Sequence, residues 1–520
     1  MSVRQDQVLA VDIGTSSVRA MLFDAAGTVA ARAQTAYPTL RPAPYQEEQD
    51  PRVVRAEVYA TMARCLAQPG ADPRAVRAIG FSSQMYGVFP VDDRDEPLTN
   101  SILWSDGRAE PQADRIKEQG GALDLYRATG CPASGIFPVA KLAWLREERP
   151  ALFASARRFV SIKEYVTRPL VGDWAVDHSM ASSTGMLDVR ERRWHPAALA
   201  VAGIVAERLS PPVSGLRPFA LVPGSPLHGL GLDPGTRVFL GGGDGPLANL
   251  GSGASGLGEV NIDLGTSGAA RCTVDAPTTD GDASLWCFCL ADDLWAYGGI
   301  VTNVGNAYEW LGSSLLAPSL PSAEAYVLMD RLAAAAGPGA GGLHFLPYLR
   351  RARSPYWDAR LRGTIYGLTP DHGPGHVARA LLEAVAFDLR AILEIMEARV
   401  GAVARLVLTG GLSRSPVLPR ALADALGRAI TLPDQSEGSI GGAALLALRG
   451  LGLVDRFDFL GGPPPGTTLA PDPATADLYA RRYQEHARLV SAMRALDLSG
   501  GAAAAGPPAG SERCPPGTRT

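Results

Sequence analysis

Leu9 to Leu22 reads LAVDIGTSSVRAML, and Asn261 to Cys272 reads NIDLGTSGAARC. Both hold Asp, an apolar residue, Gly, Thr and Ser, and a β-branched residue precedes each Asp. An apolar run before the glycine and a second apolar run after it predict strand, tight turn, strand. Gly14 and Gly265 let the backbone reverse. Thr15 and Ser16, and again Thr266 and Ser267, then bring hydroxyls and successive N–H groups to the bend. Such a hairpin can ring phosphate oxygens with donors. One copy reads as an ordinary polar turn. Two copies half a chain apart predict two related halves that hold one set of phosphates from both sides.

The chain has room for two such halves. Its 520 residues exceed one ordinary domain, and 46% hydrophobic residues supply packed cores. The formal net charge is -4 with both signs interspersed, which predicts neither a nucleic-acid footprint nor a polybasic membrane contact. Six scattered cysteines form no CxxC pair, so no metal cluster or disulfide framework is expected and a reducing cytoplasm suits them. The polar start MSVRQDQ predicts no signal peptide, and the chain lacks an apolar run of about 18 residues that would span a membrane.

Along the chain, strands are predicted at Val8 to Ile13, Val18 to Asp24 and Thr28 to Tyr37, then a helix from Glu47 to Ala67. Ala75 to Asp92 reads as strand, polar turn, strand. Lys141 to Pro150 reads as a helix stopped by Pro150. Val238 to Leu240 lead into a glycine-rich turn, GGGDGPLANLGSG. Glu259 to Val274 repeats strand, turn, strand, after which helices are expected to dominate. His376 to Arg399 has helical spacing, RLVLTGG is a strand meeting a glycine turn, and SPVLPRALADAL and GGAALLALRGLG are helical. GGPPPGTT breaks the pattern, and Asp472-Pro473 reads as the cap of a last helix ending near Leu496. The boundaries predicted are 1–253, 254–498 and a low-complexity, disordered tail at 499–520.

Four positions carry chemistry. Asp12 ends a strand beside a phosphate turn, where a carboxylate can serve Mg²⁺ through water. Asp244 lies among glycines after an apolar strand, placed to take a proton from a substrate hydroxyl during phosphoryl transfer. Gly410 and Gly411 offer bare backbone against which a base or ribose can lie.

Together these stretches resemble the FGGY family of carbohydrate kinases, within the actin, Hsp70 and hexokinase superfamily. VDIGTSSVRAMLFD is similar to the family's first phosphate motif, GGGDGPLANLGSG to its catalytic-base motif and DLGTSGAAR to its second phosphate motif. TGGLSRSPVLPRALAD is similar to the adenosine motif, and GTIYGLTPDHGPGHVARALLEA, with Gly363, Gly367 and Glu383, to the C-terminal signature. FPVAKLAWLREE resembles a further family stretch. The resemblance covers nearly all of Leu9 to Leu496. It implies an α/β fold of two actin-like (ribonuclease H-like) domains with ATP and sugar in the cleft between them. It implies Asp244 as general base and Asp12 at Mg²⁺. It places Gly14, Thr15, Ser16, Gly265, Thr266 and Ser267 at the phosphates, and Gly410, Gly411 and Ser415 at the adenosine.

SSQMYGV and LWSDGRA occupy the family's sugar-contacting stretches, which implies substrate contacts from Gln84, Met85, Tyr86, Trp104, Asp106 and Arg108. SIKEYVTRPLVGDWAVDHSMASSTGMLDVRERRW, together with GTSGAAR and LHFLPYLRRARSPYWDARLRG, resembles the gluconate kinases most and the xylulose kinases next. A sugar acid wants a cation, and Lys163 or Arg108 is the expected source. Three departures stand out: Tyr86 for the usual His, Arg351-Ala352-Arg353 for the usual Gly-Glu-Arg, and Asp263 where a small or hydroxylated residue is usual. The expected protein is a cytoplasmic gluconate kinase acting on a small molecule, and the resemblance allows a homodimer. A xylulose kinase, or a kinase for another pentulose or polyol, is the enzymatic alternative. An actin-like or Hsp70-like ATPase is the alternative of a different class, and the sugar-contacting stretches argue against it.

Overall fold

The computed structural model describes residues 6–496 apart from 317, 359, 435 and 458–464. The predicted tail at 499–520 and the first four residues of GGPPPGTT lie outside the described residues. Two mixed sheets repeat one plan. In the first, β1 (Gln7–Ile13), β2 (Ser17–Asp24), β3 (Val29–Ala36), β4 (Val76–Ser83), β5 (Phe219–Ala220) and β6 (Arg237–Gly243) take the order β5-β6-β4-β1-β2-β3. In the second, β7 (Glu259–Leu264), β8 (Gly268–Val274), β9 (Trp286–Ala291), β10 (Leu294–Val301), β11 (Arg405–Thr409), β12 (Ile430–Pro433) and β13 (Gly466–Leu469) run β9-β10-β8-β7-β11-β12-β13. Each sheet is built on a hairpin whose first strand also pairs in parallel with a later strand: β1 with β2 and β4, β7 with β8 and β11. β1 is buried from Val8 to Ile13, which explains its near-continuous apolar run.

Helices cover these sheets. They include α1 (Pro51–Leu66), α2 (Pro138–Glu148), α3 (Ile162–Val171), α4 (Asp244–Gly251), α5 (Pro374–Val400), α6 (Leu418–Leu426), α7 (Gly438–Gly450) and α8 (Ala476–Ala495). α7 follows the second sheet's last parallel strand yet packs on the first sheet. Ile440, Ala443 and Leu446 share a core with Ala10, Met21 and Phe23. The approach is close because glycine permits it: a Cβ on Gly442 would stand 2.0 Å from the Leu247 carbonyl oxygen, and one on Gly251 would stand 1.8 Å from that of Gly438. Among the described residues no helix is long and apolar enough to cross a membrane.

Several expected elements differ. The first long helix begins at Pro51, capped by the Asp50 carboxylate, while Glu48–Gln49 pair as a short strand with Ser101–Ile102. The glycine-rich segment after Leu240 is no turn: β6 continues to Gly243 and Asp244 opens α4. β9 and β10 extend the second sheet where helices were expected to dominate. Pro150 follows the end of α2 and is also the first residue of a short helix, Pro150–Ser155, since proline fits the first helical turn. Asp472 caps a single 3₁₀ turn, and α8 follows at Ala476.

Candidate active site

The two hairpins face one cleft of about 1110 Å³. Thr15, Arg19, Met85, Tyr86, Trp104 and Asp244 line it from the first half of the chain. Asp263, Ser267, Arg271, Arg353, Gly410, Gly411 and Ser415 line it from the second. The hairpins are alike but not identical. Asp12 pairs with Arg19 across the first, and Asp263 with Ala269 across the second, so the second turn is one residue shorter. Gly14 N donates to Ser17 O at 3.0 Å, and Gly265 N to Ser267 O at 2.9 Å, closing both bends. Ser16 and Thr266 project to solvent at the tips.

Asp244 is set by β6. Gly241 takes a φ of 67°, where a Cβ would lie 1.8 Å from Phe81 O, and the pairing of β6 with β4 slips there. Ser179 Oγ accepts from Gly243 N at 3.1 Å. Asp244 Oδ1 accepts from Gly245 N at 2.7 Å. Burial raises its pKa to about 7; the charges of Asp12 and Asp263 push the same way, while the Gly245 N–H and Arg271 oppose them. A carboxylate poised there can hold a proton taken from a hydroxyl near neutral pH.

Asp12 is buried, with both oxygens engaged: Arg19 Nη2 donates to Oδ2 at 2.6 Å and Ser82 Oγ to Oδ1 at 2.7 Å. Asp263 lies against Gly410, where a Cβ would come 2.6 Å from its Oδ1. Its carboxylate stands 3.7 Å from Arg271, whose guanidinium also donates to Asn261 Oδ1 at 3.4 Å. Among the described residues no cluster of three or more acidic, His or Cys side chains forms a metal cage. That donor set fits a hydrated Mg²⁺ arriving with phosphates, since Mg²⁺ keeps its waters and takes few carboxylates.

The predicted adenosine end is open backbone. Gly410 has a φ of 89° and a Cβ there would meet Leu264 O at 2.4 Å, so only glycine fits; Gly411 faces open space. Ser415 lines the cleft, but its hydroxyl donates to Asp330 at 3.0 Å and accepts from Val417 N and Leu418 N, which anchors the turn into α6.

The sugar-contacting stretches divide. Met85, Tyr86 and Trp104 reach the cleft. Trp104 Nε1 donates to Thr15 Oγ1 at 3.0 Å, leaving the Thr15 hydroxyl proton free. Tyr86 has a φ of 67° and packs edge-on against Phe137 at 5.4 Å. Gln84 lies behind them: its amide donates to Gln49 Oε1 at 2.8 Å, and Gln49 in turn donates to Thr15 O. Asp106 and Arg108 are not free to meet a substrate, because they bind each other. Arg108 Nε and Nη2 donate to Asp106 at 2.8 and 2.7 Å, and Nη2 also reaches Glu48 at 2.7 Å.

Lys163 needs correction. It is buried under β6, with its ammonium 2.5 Å from Asp177 and donating to Leu240 O at 2.9 Å and Gly242 O at 2.8 Å. Its donors are occupied, so it fixes the strand leading to Asp244 and cannot serve a sugar acid. Sequence reasoning passed over Arg19 and Arg271, although each follows a DxGTS turn, and treated Arg353 only as part of a departure. It also passed over Lys141. That buried ammonium donates to Tyr86 O at 2.8 Å and Leu103 O at 2.7 Å, tying the two sugar-facing loops together.

Residues 7–251 match the N-terminal domain, and residues 260–451 the C-terminal domain, of the FGGY family of carbohydrate kinases. The chain belongs to that family. This FGGY carbohydrate kinase is 35% identical to a gluconokinase of Bacillus subtilis, over 87% of this chain and 89% of the relative. A xylulose kinase of the same organism is 26% identical over 87% of this chain and 89% of its own. Among solved structures, a gluconate kinase from Lactobacillus acidophilus superposes with a TM-score of 0.87 at 28% identity, covering 94% of this chain and 99% of that one. A xylulose kinase from the same organism gives 0.87 at 29% identity with the same coverage. In this FGGY kinase the C-terminal signature residue Glu383 lies away from the cleft: its Oε1 accepts from Arg379 at 2.8 Å, from Tyr479 at 2.9 Å and from Gly339 N at 2.8 Å. It joins α5 to α8.

Proposed function

We propose that this kinase transfers the terminal phosphoryl group of ATP to gluconate, giving 6-phosphogluconate and ADP. Asp244, held at the floor of a cleft that both phosphate hairpins face, carries the reaction. Its carboxylate takes the hydroxyl proton as the sugar oxygen attacks the γ-phosphorus and the bond to the bridging oxygen breaks. Thr15 and Ser267, with the N–H groups of their turns, hold phosphate oxygens. Asp12 would hold Mg²⁺ through water, and the metal would supply positive charge against the phosphates. Gly410 and Gly411 carry the adenosine, and the halves 1–253 and 254–498 close on both ligands.

Gluconate rests on the 35% identity to a gluconokinase, against 26% to a xylulose kinase of the same organism. The five described cysteines are free and buried, which supports a cytoplasmic setting. A coupled assay of ADP release with gluconate, D-xylulose and glycerol tests the reading. Gluconate should give the highest kcat/KM. Turnover of D-xylulose with gluconate inert would overturn it.

A further inference from the structure

Arg353 comes from the second half of the chain but stands at the sugar end of the cleft. The loop that carries it crosses to the first half. Asn303 fixes it, accepting from Arg350 N at 2.9 Å and donating to Arg351 O at 3.0 Å. Arg351 meets Glu110 at 3.0 Å, and Arg350 approaches Glu47 at 3.9 Å. Arg351 has a φ of 68°, the left-handed region that favours glycine.

Between these anchors the Arg353 guanidinium lies over the Trp104 ring at 5.4 Å and donates through Nη2 to Trp104 O at 3.3 Å. Its Nη1 is buried and has no hydrogen-bond partner. Arg19 and Arg271 in the same cleft face Asp12 and Asp263. Among the described residues no carboxylate pairs with Arg353, and its near neighbours are the Trp104 ring and carbonyl, Tyr86 and Arg351. A guanidinium with an unmet donor in a partly desolvated wall is a strong site for a carboxylate oxygen. Arg353 and Asp244 line the same cleft, and both act on Tyr86 between them in the first half's wall.

We propose that Arg353 is the specificity residue that receives the carboxylate of a sugar-acid substrate, a role that rests on the gluconate reading above. The test compares D-gluconate with D-gluconamide, its neutral analogue with the same hydroxyls. Wild type should favour gluconate in kcat/KM by roughly 10- to 100-fold, the scale of a hydrogen bond to a charged group. In R353Q that preference should fall toward one, chiefly through KM for gluconate, while R353K, which keeps the charge and covers the event that R353Q fails to fold, retains part of it. If either variant keeps the full wild-type preference, the assignment to Arg353 is overturned and the gluconate reading stands. If wild type turns over D-xylulose and neither gluconate nor gluconamide, both are overturned.

Discussion

Asp244, the base of the proposed reaction, can take a proton only when ionised, yet its surroundings favour the proton. Burial, Asp12 and Asp263 raise its pKa to about 7, and only Gly245 N–H and Arg271 oppose them. The ionised fraction therefore shrinks as pH falls through about 7. In a pH profile kcat/KM for the sugar should decline on the acid side with a slope near one. Asp263→Asn removes a negative charge and releases Arg271 toward Asp244, two changes of the same sign, so the acid limb should move to lower pH. A limb that stays in place would mean that Asp263 does not act on Asp244. Asp244→Asn should keep ATP affinity, measured by calorimetry, and lose roughly three orders of magnitude in kcat. Near-normal turnover in that variant would remove Asp244 from the chemistry. Asp244 could be picked out of the sequence because its glycine setting is local. Lys163 could not be placed, because the acceptors that occupy it, Asp177, Leu240 and Gly242, are brought to it only by folding.

Elements with strong local patterns were readable. Both hairpins and α5 follow from apolar spacing and turn glycines. α4 was not, since a helix opening DGPLANLG and ending against Gly438 and Gly442 of α7 owes its existence to tertiary packing more than to propensity. β9 and β10 were missed for a related reason: WCFCLA and LWAYGGIV are nearly all buried, so period-2 alternation is absent. The contact between sugar loops is likewise tertiary. α2 presents Lys141 to carbonyls on two loops, one of them holding Tyr86 in a left-handed conformation. Lys141→Met leaves Tyr86 O buried without a donor, at a cost of about 1–3 kcal/mol, and leaves Leu103 O only the Asp106 N–H at 3.3 Å. KM for the sugar should rise about tenfold or more, whereas KM for ATP, bound by other elements, should change little. Equal changes in both constants would mark Lys141 as a general fold residue.

At the scale of the molecule, the two sheets carry the same hairpin but place different chemistry beside it. The first brings Asp244 and the Tyr86 and Trp104 loops, and the second brings Gly410, Arg271 and the loop of Arg353. Neither half completes the site. Duplication of DxGTS made this plan visible in the sequence, but it did not show that α7 returns to the first sheet or that Arg353 reaches Trp104. Those two crossings join other contacts between the halves, among them Tyr126 with Asp280 and Cys289 N with Ser182 Oγ. A site that moves a phosphoryl group must keep water from accepting it, and the closure of the halves proposed above would do so. Small-angle scattering should therefore show a fall in radius of gyration with a non-hydrolysable ATP analogue and gluconate together, and a smaller change with either alone. Trp104 emission should respond to gluconate in the same titration, since its ring lies under Arg353 and its indole N–H is bonded to Thr15. An unchanged radius with both ligands bound would mean that the cleft is already in its working form. In that event, ATP hydrolysis without sugar should be fast, because nothing would gate water from the phosphates.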